Sequence, residues 1–88
     1  MRKSTSSPHY AELRRRLAFI RNRANLSQRA LGERLGVPHT WVAKVESGER
    51  RIDLLEFGWY CEACGVRPVG EAKAILEAVS GNGSEVAA

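Results

Sequence analysis

Residues 26–47 read LSQRALGERLGVPHTWVAKVES, and this stretch decides the fold. Ser27 is placed to cap a helix, its hydroxyl accepting from a free backbone N–H of the first turn. Ala30, Leu31 and Leu35 follow at helical spacing. Gly36 comes next, where a left-handed residue closes a helix without a Cβ penalty. Val37 and Pro38 carry the chain round, and Pro38 suits the first turn of a second helix because it has no N–H to lose. In that second helix, about 38–46, Val42 and Val45 face inward. His39, Thr40, Ala43, Lys44 and Ser47 cover the other side. Two helices joined by so short a turn predict a helix-turn-helix, whose second helix fits the DNA major groove.

Working outward, Ser7 followed by Pro8 is a cap and a first helical residue. Tyr10, Leu13, Leu17, Ile20 and Ala24 then repeat at 3-4-3-4 spacing, one continuous apolar seam. Arg14, Arg15, Arg16 and Arg23 fall mostly off it and are expected in solvent. Asn25 is a candidate left-handed residue after the helix. Beyond Ser47, SGERRID is a loop opened by Gly48. Asp53 and Glu56 form a capping box for a fourth helix, with Leu54, Phe57, Cys61 and Cys64 as its inward stripe and Gly65 as its end. Leu55 and Trp59, four residues apart, lie on another side of that helix. They are candidates for a dimer or partner surface, or for packing under a neighbouring segment. Pro68 begins a last helix to about Val79, with Val69, Ala72, Ile75, Leu76 and Val79 on its apolar side.

The expected architecture is therefore all-α with five helices. Residues 1–7 form a basic arm, 8–79 the helix-turn-helix domain, and 80–88, rich in Gly and Ser, a tail.

At these residues the chain resembles the lambda-repressor/Cro-like, XRE-type helix-turn-helix regulators of bacteria and phages. The resemblance rests on Ser27-Gln28, Leu31, Leu35-Gly36-Val37, Val42, Lys44-Val45-Glu46, Gly48 and Arg50. It continues through Asp53-Leu54, Phe57, Cys64 and Gly65-Val66, and covers roughly Leu13 to Val79. It implies a lambda-repressor-like DNA-binding domain that uses no cofactor. One departure is Gly32, where the family usually has Ala, at a cost of about 1 kcal/mol in helix propensity. The resemblance also implies that Arg21 pairs with Glu46, locking the first helix to the recognition helix.

Charge distribution agrees with a nucleic-acid partner. The net charge is +4, but residues 1–51 carry twelve Lys/Arg against four Asp/Glu, while residues 52–88 carry two against six. A basic half holding the helix-turn-helix suits a polyanion, with the acidic half turned away from it. Thr40 and His39 have the reach for base edges or a thymine methyl, Lys44 for guanine or phosphate, and Ala43 for an apolar contact. Gln28, Arg29, Ser47, Arg50 and Arg51 are candidates for the DNA backbone. For Arg50 a salt bridge to Asp53 or Glu56 is the alternative. Trp41 is either wedged at the core edge or offers its indole N–H to phosphate.

Cys61 and Cys64 match a CxxC spacing, but they fall on an inward stripe. No second pair completes a zinc site, and no βαβ pattern supports a redox motif. They are expected as core residues. Nothing pairs a nucleophile with a base, and there is no glycine-rich phosphate loop, so an enzyme is not expected. No stretch has the apolar length of a membrane span, and the serines after Met1-Arg2-Lys3 replace a signal-peptide core, which predicts a cytoplasmic protein.

One module makes few contacts, so a homodimer reading two half-sites of double-stranded DNA is expected, most simply as a repressor. The rival is a protein-interaction module, antitoxin-like or otherwise partner-binding, that keeps the fold without reading DNA.

Overall fold

The computed structural model describes residues 7–80 and consists there of five helices: α1 Pro8–Arg23, α2 Gln28–Leu35, α3 His39–Ser47, α4 Leu54–Ala63 and α5 Pro68–Val79. The arm and tail expected at the two ends lie mostly outside the described residues. Ser7, the last residue of the expected arm and the expected cap of the first helix, does cap α1: its Oγ accepts from Tyr10 N at 3.1 Å.

Local chemistry sets most boundaries. Ser27 Oγ accepts from Ala30 N at 2.9 Å to start α2. Asp53 and Glu56 form the reciprocal capping box of α4, at 2.8 and 3.0 Å. Asn25 takes the left-handed conformation (φ 60°) between α1 and α2, which its short polar side chain tolerates. Pro38 differs from expectation by one position. It sits at the extended N-cap, and α3 begins at His39, because a capping residue needs β-region backbone and Pro38 adopts it at ψ 149°.

The core gathers Leu17 and Ile20 of α1, Leu31 of α2, Val42 and Val45 of α3, Phe57, Tyr60 and Cys61 of α4, Cys64 just beyond it, and Ile75 of α5. Two inward stripes are narrower than their spacing suggests. Leu54 shares a sector with Phe57 but is 78% exposed. It stands in the first turn of α4, at the lip of an open hollow shared with Leu13, Ile52 and Leu76. On α5, only Ile75 is buried, with Ala72 packed against the core; Val69 and Leu76 are 79% and 64% exposed. A last helix with a single side against α1 and α4 buries one narrow stripe.

Two arginines, one of them (Arg16) expected in solvent, help to tie the helices. Arg16 pairs with Glu71 at 2.8 Å, joining α1 to α5, and Arg34 donates to the carbonyl of Ala63 at 2.8 Å, joining α2 to the end of α4. The Arg14 Nε is buried without a hydrogen-bond partner, and nothing in the fold explains it. No helix among the described residues is long and apolar enough to cross a membrane.

Candidate nucleic-acid interface

The α2–α3 turn is tighter than a propensity argument implies. Gly36 adopts φ 73°, and Val37 N donates back to Gly32 O at 2.9 Å. Gly32 itself is buried. A Cβ there would stand 2.8 Å from Val37 O and 3.2 Å from the His39 N and Cα. The glycine that sequence marks as a weak point in α2 thus lets the start of α3 press against α2.

Behind α3, Val42 and Val45 are fully buried and fix its rotation. Thr40, Lys44 and Ser47 are then exposed, with His39 and Ala43 half-buried beside them. Ser47 donates to Lys44 O at 3.2 Å. Arg29 is exposed near the start of α2, so two expected readout residues, Thr40 and Lys44, and two expected backbone contacts, Arg29 and Ser47, face solvent on this side.

The far end of α3 is held by a polar hub. Arg21 donates from Nε to Glu46 Oε2 at 2.7 Å and from Nη2 to Oε1 at 2.9 Å, the bidentate pair that the resemblance implies. Its Nη1 donates to Leu26 O at 2.8 Å. Gln28 Nε2 adds a bond to Oε1 at 3.1 Å, and the Tyr60 hydroxyl one to Oε2 at 2.6 Å. Four donors fill the acceptor sites of one carboxylate and join α1, α2, α3 and α4 at a single residue. Burial works against the ionised form of Glu46, but the bonds from Arg21, Tyr60 and Gln28 outweigh it and hold the carboxyl below its ordinary range. The Arg21 guanidinium is stabilised in return, chiefly by its hydrogen bonds to Glu46. Burial first, then the adjoining Glu46 carboxylate, drives the Tyr60 hydroxyl far up, so it remains a donor.

Sequence reasoning gave Tyr60 no role. A signal was present: it lies three residues after Phe57 and four before Cys64, inside the inward stripe, where a hydroxyl requires a partner. Gln28, considered for phosphate, spends its side-chain amide on this hub.

The loop after α3 is similarly held. Arg50 donates from Nη1 and Nη2 to Glu56 Oε1 and Oε2 at 3.0 and 2.8 Å, and from Nη1 to Arg51 O at 2.9 Å. It lies 5.1 Å over the Trp41 ring. Of its two expected roles, the salt bridge to Glu56 is the one present. Bonding from Arg50, with the Asp53 N–H, keeps Glu56 below its ordinary range. Trp41 packs half-buried against the core. Arg51 lies 4.4 Å over the Tyr10 ring, and Ile52 N donates to the Tyr10 hydroxyl at 3.1 Å. Arg50 therefore braces the loop through Glu56 and Trp41, and the exposed Arg51 lies beside α3 on the Tyr10 ring.

Cys61 and Cys64 are free thiols within the core; burial raises both, Cys61 to about 12. Leu55 and Trp59 project from α4 and are 67% and 57% exposed.

A family model described as a helix-turn-helix domain matches residues 12–74. Among solved structures, the chain is similar to an XRE-family like protein from Pseudomonas syringae pv. tomato str. DC3000, with 35% identity over 82% of this chain and 87% of that one and a TM-score of 0.76. No curated protein matches the chain.

Proposed function

Since the chain belongs to the XRE-type helix-turn-helix family of DNA-binding regulators, we propose that it is a sequence-specific repressor that binds duplex DNA as a homodimer, with α3 in the major groove. One observation carries this reading. The outer residues of α3 are exposed on a helix whose inner face and far end are fixed by Val42, Val45 and the four-donor Glu46 hub. A helix that reads bases needs such rigidity, because a bidentate base contact tolerates little displacement.

In this account Lys44 donates to guanine O6/N7 or an adjoining phosphate. Thr40 and His39 meet base edges, and Ala43 makes an apolar contact. Arg29, Ser47 and Arg51 hold the register on the phosphates, while Arg50, paired with Glu56 and stacked on Trp41, braces the loop that carries Arg51. Gln28 contributes through its backbone N–H at the start of α2, where the helix end favours an anion. A protein with one such helix needs two copies and two half-sites about one helical turn apart.

The exposed Leu55 and Trp59 favour one other reading, a partner-binding module that does not touch DNA. Titration of a labelled random duplex pool at two salt concentrations separates the two. Binding that tightens as salt falls, with a fraction resisting competitor DNA, supports a sequence reader. No binding at either concentration removes it.

A further inference from the structure

We propose that the cleft between α1 and the α4–α5 connection binds a small organic monocarboxylate, its charged end on Arg23 and Arg16 and its apolar body along Phe19, Ile20 and Val66. This goes beyond the DNA reading and does not rest on it: the cleft lies across α1 from the Glu46 hub, and its test contains no DNA.

On α1, Arg16, Phe19 and Arg23 are spaced three and four residues apart and so share one side of the helix. Arg21, two residues before Arg23, points about 200° away from it and is committed to Glu46 of α3. The side with Arg16 and Arg23 closes around a cleft of about 370 Å³, completed by Cys64 and Val66 of the α4–α5 connection and by Glu71 of α5. Ile20 and Phe19 continue its apolar wall. Small-molecule sites span about 300–1,000 Å³ and combine apolar walls with a few charged groups. This cleft has that make-up at the small end of the range.

Charge selects the ligand. Arg16 is paired with Glu71 at 2.8 Å, whereas Arg23 is in no ion pair among the described residues. Both guanidiniums are gathered on one ring, with Arg16 Cζ 5.1 Å and Arg23 Cζ 5.9 Å from the Phe19 centroid. Two guanidiniums and one carboxylate leave the cleft with one positive charge in excess, which a monoanion neutralises. A dianion such as a phosphate monoester would bring its second charge against Glu71, and a cation would meet Arg23. A carboxylate suits the planar donor fork of a guanidinium, which it can engage bidentately. Phe19 is 46% exposed, an aromatic wall that an apolar ligand body covers and a bare anion does not.

The test is a titration of the full chain with hydrocinnamate and with hexanoate at fixed ionic strength, followed by two-dimensional amide NMR. At least one probe should bind saturably and shift the amides of Phe19, Arg23 and Val66. Arg23→Gln should weaken that binding about tenfold to a hundredfold, as loss of a hydrogen bond to a charged group implies. Arg15→Gln changes an exposed arginine of α1 outside the cleft and should leave binding unchanged. Hydrocinnamide, which lacks the charge, and acetate, which lacks the body, should bind far more weakly. Arg23 is exposed as well, so both variants should fold, and the same spectra verify it. Saturation by neither probe overturns the proposal, as do shifts confined to other residues. So does binding of hydrocinnamide or acetate that equals the stronger probe, or a loss in Arg15→Gln as large as that in Arg23→Gln.

Discussion

The Tyr60 hydroxyl lies 2.6 Å from Glu46 Oε2 and 2.8 Å from Leu17 O. It has one hydrogen and two acceptors, and the nearer, charged oxygen takes it. A residue of α4 thereby completes the clamp on the end of α3, and the stability of the fold and the rigidity of α3 meet in one contact.

Tyr60→Phe removes that donor and leaves a buried carboxylate with one site open. Hydrogen bonds to charged groups contribute about 1.5–3 kcal/mol, so urea unfolding should show a loss of that size. Arg21→Met strands the carboxylate more completely and should cost about 3–5 kcal/mol. A double-mutant cycle should show the two to be non-additive; strict additivity would mean that Tyr60 and Arg21 do not share the hub.

Acid should unfold the protein through Glu46 and Glu56. Both are held below the ordinary glutamate value of 4.5, so each contributes stability that is fully present above that value. The contribution is lost as pH falls through the lower folded-state value. Urea midpoints should be level from neutral pH to about 5 and drop steeply below the ordinary value. In Glu46→Gln the neutral-pH midpoint should be lower and the acid drop shallower. An equally steep drop in that variant would place the acid sensitivity elsewhere.

Gly32→Ala separates helix propensity from packing. Propensity alone favours the substitution by about 1 kcal/mol. The new methyl, however, would meet the backbone oxygen of Val37 at 2.8 Å, and backbone at both ends of a tight turn has little freedom to yield. A lower melting temperature is expected, with weaker DNA binding per folded molecule because α3 is displaced. A raised melting temperature with unchanged binding would show that the turn relaxes at no cost.

The cysteines should be silent in the folded protein. Burial, with Glu71 adding to it, raises the Cys61 thiol to about 12, and the thiolate is the reactive form. A neutral-pH disulfide reagent should react with neither Cys61 nor Cys64 in the native state and with both in denaturant. Rapid modification of either thiol before unfolding would show that this part of the core opens readily.

Much of this was legible in the sequence because local chemistry dictated it. Ser7, Ser27 and Asp53 each cap a helix by reaching a backbone N–H three residues on, and the α1 seam from Tyr10 to Ile20 is a matter of spacing. The clamp on α3 was legible only in part. Arg21 and Glu46 are 25 residues apart, and a family resemblance, not periodicity, connects them. Tyr60 and Gly32 escaped for a common reason: their roles depend on what residues outside their own helix place close by, which one helix's pattern does not encode. Leu54, Val69 and Leu76 misled in the opposite direction. Each has the spacing of a core residue, yet burial also requires a neighbouring element to cover the position.

Selection of bound duplexes from a random pool tests the central claim most directly. The wild type should enrich two inverted half-sites with centres about one helical turn apart. Lys44→Ala and Thr40→Ala should each relax the preference at particular positions within the half-site, by about 1–3 kcal/mol at the contacted base pair. A pool that yields no enriched sequence, or variants that return the wild-type motif unchanged, would contradict the claim that α3 reads bases.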